Sequence, residues 1–165
     1  MPDMNPLEKY LNEHLAGSSA AIRLLETLSH GNPSYQSACR TLKHGITRNR
    51  RTLEGLLDQA GFKRSLMMEC AARLMSEIAL LRFRMNGLNA GQLGLLEALE
   101  ALELGVQGQL ILWRGLRNRS GAVKEWEGTD FAALENSAAE QRATVEALRL
   151  EAVKAAFFRP LPSLE

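Results

Sequence analysis

His14 interrupts a stripe of small and apolar residues, Leu7, Leu11, His14, Ser18, Ala21, Leu25 and Leu28, spaced by fours and threes. That spacing faces one side of a helix toward a partner. An imidazole so placed can ligate a metal, move a proton or anchor a hydrogen-bonded layer. Two other stripes carry one polar break each. Asn49 interrupts Tyr35, Cys39 (or Ala38), Leu42, Ile46, Leu53, Leu56 and Ala60. Gln141 interrupts Phe131, Leu134, Ala138, Val145, Leu148, Ala152 and Ala155. Folding the first stripe onto the second about Gly31 sets His14 level with Asn49. Folding the last helical segment onto its predecessor about the 119–128 loop sets Gln107 level with Glu140 and Gln141. The segment holding Gln107 is apolar nearly all round except for Glu97, Glu100, Glu103 and Gln107. These four form either a solvent strip or an inward polar seam, and the solvent strip is the plainer reading. The candidate polar or ligand-binding residues are therefore Glu13, His14, Asn49, Glu103, Gln107, Glu140 and Gln141.

Two readings fit His14, Asn49 and Gln141. They form a mutually hydrogen-bonded layer that fixes register, since buried amides and imidazoles need partners. Alternatively they line a ligand or metal site in which His14 works with Glu13, Glu103 or Glu140. The layer is the simpler reading. A carboxylate-bridged di-iron site needs an E-x-x-H on each of two helices. Leu11, Thr27 and Thr41 stand three residues before His14, His30 and His44, so no such motif occurs. No H-x-x-x-H or H-E-x-x-H occurs either, which leaves no helix-borne zinc motif. His30 falls in a turn, and His44 lies off its stripe and faces out. No Ser–His–Asp or Cys–His arrangement follows from the spacing, and no catalytic residue, metal ligand set or cofactor is assigned.

The elements that must position these residues are helices. Segments are expected over about 6–29, 33–60, 65–86, 91–118 and 130–158. Asn5, Asn32 and Thr129 are placed as N-caps, Pro6 suits a first helical position, and Glu8 completes a capping box. Gly31 and Gly61 are expected stops. The third segment would bury Met67, Cys70, Leu74, Ile78, Leu81 and Met85. Gly105 and Gly108 cost helix propensity and are expected to permit close helix approach. Short connections make the first two segments an antiparallel hairpin and the last two another. A third segment of about 22 residues carries the chain back along the bundle, giving an all-α, ferritin-like four-helix bundle with an additional crossover helix. A five-helix up-and-down array is the alternative.

Composition agrees. The chain has 165 residues, 5% aromatics and five prolines, and its net charge is +1, which fits one helical domain spanning 1–165. That charge excludes a strong field for nucleic acid or an anionic membrane. Arg40, Lys43, Arg48, Arg50 and Arg51 look basic, but Glu54 and Asp58 continue the same surface, as on a solvated face. No apolar run reaches about 18 residues, so no membrane span is expected. The polar N-terminus is unlike a secretory signal. Cys39 and Cys70 lie inside expected helices without C-x-x-C spacing, like buried thiols of a cytoplasmic protein.

The run Tyr10-Leu11-Asn12-Glu13-His14-Leu15-Ala16-Gly17 resembles the first helix of a group of small uncharacterised bacterial proteins described as ferritin-like. The resemblance continues at Leu96-Glu97-Ala98-Leu99-Glu100, Leu112-Trp113, Glu140-Gln141-Arg142 and Glu146-Ala147-Leu148-Arg149, and so covers most of the chain. It implies a ferritin-like bundle and no particular activity. Members of the wider class bind two metals through carboxylates and histidines. Here the resemblance leaves Glu13, His14, Glu97, Glu100, Glu103 and Glu140 as possible remnants of such a set. The expected function is non-catalytic: a bundle that acts by association, as a homodimer or with a protein partner. Phe157, Phe158, Trp113 and Trp126 lie near helix ends, where an apolar patch would form. The alternative is a degenerate ferritin-like protein holding a metal or small ligand in the bundle core.

Overall fold

A computed structural model describes residues 5–65, 91–119, 121 and 123–158. Four long helices account for most of these: α1, Pro6–Gly31; α2, Gln36–Gln59; α3, Gly91–Arg117; and α4, Phe131–Phe157. Single 3-10 turns at Pro33–Tyr35 and Lys124–Trp126 precede α2 and α4. Among the described residues there is no strand. The segment expected over 65–86 falls, apart from Ser65, outside the described residues, and so do Cys70 and the rest of its inward stripe.

The helix ends obey local chemistry, with corrections to the expected caps. Asn5 caps α1 by accepting the Leu7 N–H at 2.9 Å, and Pro6 takes the first turn, where no N–H is needed. Glu8 does not close a capping box; its Oε1 accepts the Lys63 N–H at 3.0 Å. Asn12 holds the same stretch: its Nδ2 donates to the Glu8 and Lys63 carbonyls, and its Oδ1 accepts the Ser65 N–H at 2.7 Å. Gly31 still belongs to α1. Asn32 ends that helix in an extended conformation, and its side chain does not cap the 3-10 turn at Pro33–Tyr35. Gly61 stops α2 in the left-handed region, at φ 69°, where glycine carries no Cβ penalty. Asp130, not Thr129, caps α4 by accepting the Ala133 N–H at 2.9 Å. The Asp130 carboxylate sits one residue nearer the first free N–H groups.

Two buried clusters fix the packing. One joins Leu11 and Leu15 of α1, Leu53 and Leu57 of α2, Trp113 of α3 and Phe131 of α4. The other joins Leu25, Leu42, Ile46, Leu99, Val145 and Ala152. The start of α1 therefore lies with the end of α2, the end of α3 and the start of α4. Helices α1 and α4 run one way, and α2 and α3 run the other. Each hairpin, α1–α2 and α3–α4, is antiparallel, and the end of α2 and the start of α3 lie at opposite ends of the bundle. Ion pairs mark the register: Lys43 with Glu26 at 2.6 Å across the first hairpin, and Arg149 with Glu103 at 3.1 Å and Arg114 with Glu135 at 2.8 Å across the second. Trp113 and Trp126, expected at an exposed patch, are buried. The Trp126 indole N–H donates to the Leu56 carbonyl at 3.0 Å, tying the α3–α4 loop to the end of α2.

Candidate functional site

The middle of the α1 stripe, where His14, Ser18 and Ala21 lie, is not packed like its ends. Leu11, Leu15, Leu25 and Leu28 are fully buried, whereas His14, Ser18 and Ala21 are half-buried. They face a cavity of about 200 Å³ between α1, α2 and α3. Ile46, Asn49, Arg50 and Leu53 line it from α2, and Val106, Leu112 and Trp113 from α3. Gly17, Gly105 and Gly108 also line it, with Glu13, Leu104 and Gln109. Among the described residues, a Cβ on Gly17 or Gly105 would meet nothing within 4 Å, and on Gly108 only His14 Cε1 at 3.9 Å. Toward the described helices the α3 glycines thus do not serve the close approach expected from sequence; they leave space open. The one described glycine that permits close approach is Gly45 of α2, where a Cβ would come within 2.9 Å of Gln141 Nε2.

The polar groups of the wall are unevenly satisfied. Asn49 is 0% exposed, and neither its Nδ2 nor its Oδ1 has a hydrogen-bond partner. Trp113 is equally buried, and its Nε1 also lacks one. A buried polar atom left unpaired costs about 1–3 kcal/mol, and most such atoms in proteins are paired with protein or water. Arg50, by contrast, is fully engaged. Its Nη1 donates to the Leu15 carbonyl at 2.6 Å and to the Ser18 and Ser19 hydroxyls at 3.0 and 2.7 Å, and its Nε pairs with Glu54 at 3.0 Å. Burial pushes the His14 pKa below its ordinary value of 6.5, against a smaller opposing pull from the Glu13 carboxylate. Its ring stacks edge-on against Tyr10, with centroids 4.7 Å apart.

Of the seven candidate residues, the cavity brings together Glu13, His14 and Asn49. The bonded layer of His14, Asn49 and Gln141 does not form. Arg50 meets Leu15, Ser18 and Ser19, so α2 is shifted about one turn from the expected register and Asn49 lies level with the residues beyond His14. Gln141 points instead at Gly45 on the α2–α4 side, where its Nε2 donates to the Ser137 hydroxyl at 3.2 Å and its buried Oε1 has no partner. Glu103 pairs with Arg149 and Arg142 of α4, Gln107 is half-buried, and Glu140 is exposed. Glu97, Glu100 and Glu13 are also exposed, and Glu13 lies 3.9 Å from Lys9.

The carboxylates do not suit the metal set that the resemblance implies, since they point to solvent or to arginines rather than to His14. Among the described residues no group of three or more His, Cys, Asp or Glu side chains gathers that would hold a metal ion. His30 and His44 are exposed and stand apart from the cavity, and Cys39 is a buried free thiol whose pKa burial raises. Ser18, Arg50 and Trp113 join the wall without having been candidates. Ser18 is legible from its place beside His14 in the stripe; Trp113 carries no signal beyond proximity to a helix end. No helix among the described residues is long and apolar enough to cross a membrane. Searches against protein-family models, curated proteins and solved structures find no match to this chain.

Proposed function

We propose that this chain is a ferritin-like bundle, two hairpins joined by a crossover, that has kept the architecture without its metals and binds a small organic molecule between α1, α2 and α3. The placing of the α2 end and the α3 start at opposite ends of the bundle supports the crossover connection. One observation carries the binding function: an open interhelical cavity of about 200 Å³ interrupts the packing between α1, α2 and α3, with the half-buried His14 and Ser18 on its wall. Pockets that hold small ligands are mostly apolar with a few convergent polar groups. This wall fits that description: its polar groups are the His14 imidazole, the Ser18 hydroxyl, the Arg50 guanidinium and the Gln109 amide, with Glu13 its single carboxylate, rather than a hard-metal ligand set.

His14→Leu tests the reading. The expected result is loss of ligand-observed NMR signals from a panel of small aromatic compounds, with a melting temperature for the ligand-free protein close to that of the wild type. Unchanged binding in the variant, or no binding by the wild type at millimolar compound, would count against it.

A second reading, association between copies as a homodimer, draws on exposed apolar side chains. Leu104 and Ile111, two turns apart on α3, are 75% and 51% exposed, and Phe158 at the end of α4 is 74% exposed. Multi-angle light scattering tests it: a dimer mass is expected, reduced to the monomer mass by Leu104→Glu with Ile111→Glu.

A further inference from the structure

The outer face of α3 carries a pattern that is complementary to itself. Resting on the homodimer reading, that pattern also specifies how the two copies lie. Leu93, Glu97, Glu100, Leu104, Ile111 and Arg114 are spaced by fours, threes and one seven, so they share one side of the helix. All six are exposed, Leu104 and Ile111 by 75% and 51%. Along this side acid comes first, apolar residues follow and base comes last. Among the described residues neither Glu97 nor Glu100 has an ion-pair partner within 4.0 Å, and Arg149 feels Glu100 only at longer range. Both glutamates lie beyond the first turn, where the helix dipole no longer accounts for a carboxylate. At the other end Arg114 donates one N–H, from Nε, to Glu135 at 2.8 Å, and its side chain is still 55% exposed. Arg117 adds a second positive charge in the same turn.

Turned end for end, this order of residues meets its complement. Leu104 and Ile111 are centred between Gln107 and Gly108, and Glu100 and Arg114 are centred on Gln107. One two-fold axis crossing α3 at that point therefore sets Leu104 against the partner's Ile111 and Glu100 against the partner's Arg114 together. Glu97, one turn further out, faces the same basic end. A parallel pairing would instead set Glu97 and Glu100 against their own copies. Two-fold interfaces are self-complementary in the first way, and juxtaposed like charges are what they avoid.

We propose that α3 pairs with α3 of a second copy, antiparallel, about a two-fold axis at Gln107 and Gly108, with Leu104 on the partner's Ile111 near the centre and Glu100, backed by Glu97, on the partner's Arg114 at each end.

Light scattering and disulfide trapping on the full chain test this. The wild type is expected to form a dimer at low salt, weakened several-fold at about 0.5 M salt, because exposed charge pairs are screened. Glu97→Lys with Glu100→Lys should raise the dimer dissociation constant at least about tenfold while helical dichroism stays that of the wild type. Trapping reads the direction of pairing. Glu100 and Gly115 lie equally far from the axis on either side. Each stands about 11 Å from it along the helix, so two copies of one residue are about 22 Å apart, beyond the ~7 Å reach of a disulfide. Among the described residues nothing lies within 4 Å of a Cβ added at Gly115, and Cys39 is buried. In a Cys70→Ser background, Glu100→Cys mixed with Gly115→Cys should cross-link on mild oxidation, and neither variant should do so alone. Cross-linking of each variant to itself would overturn the antiparallel pairing in favour of a parallel one. A dimer that ignores the charge reversal and gives no mixed disulfide would overturn the assignment to α3 and leave a homodimer standing. A monomer at about 1 mM chain, where even a weak dimer assembles, would overturn both this inference and the homodimer reading.

Discussion

At the scale of single residues, the informative feature is polarity placed where packing alone would put leucine. Asn49→Leu removes two unpaired buried polar ends and keeps the branched shape of the side chain. It should raise the stability of the ligand-free protein by about 1–3 kcal/mol, read by chemical denaturation. A loss of stability would show that Asn49 is satisfied in solution. His14 gives a pH signature. Its folded pKa lies below the ordinary value of 6.5 because burial disfavours the cation, with Glu13 opposing. The unfolded chain therefore binds the proton first as pH falls, and stability drops from about pH 6.5 downward through the lowered folded value. Above that window His14 contributes no slope. His14→Gln should flatten the dependence of the melting temperature on pH between neutral and mildly acidic buffer, and an unchanged profile would place the ring in water. These residues are legible as polar breaks in their stripes. Their lack of mutual contact is not, because a register shift of one turn is invisible to helical periodicity, which repeats every turn.

At the scale of elements, the four described helices are written plainly in the sequence. The apolar stripes of α2 and α4 coincide with the buried faces from Cys39 to Leu56 and from Phe131 to Ala152. What the pattern could not give is which neighbour a polar end meets. Thr129 and Asp130 are both good caps, and only the chain's entry angle into α4 selects Asp130. Asp130→Ala should cost about 1 kcal/mol and Thr129→Ala much less, as thermal or denaturant unfolding would show. Likewise, Gly105 and Gly108 look from sequence like residues of close contact, yet the space above them is open. Gly105→Ala with Gly108→Ala should stabilise the protein by about 0.5–1 kcal/mol per site through helix propensity, as chemical denaturation would show. Destabilisation instead would mean that the glycines serve packing after all.

At the scale of the whole molecule, the two buried clusters hold the ends of the bundle, and the cavity lies between them on one side. The chain has two tryptophans, and both belong to the same cluster, at the end where α1 starts. Among the described residues, the opposite cluster holds only Tyr35 as an aromatic side chain. Intrinsic tryptophan emission therefore watches one end of the bundle, whereas far-ultraviolet circular dichroism averages over both. If the bundle melts as one unit, the two signals trace a single curve. If the tryptophan-free end frays first, the dichroism falls while emission stays native, and the lag between them measures how well the cavity transmits cooperativity from one cluster to the other.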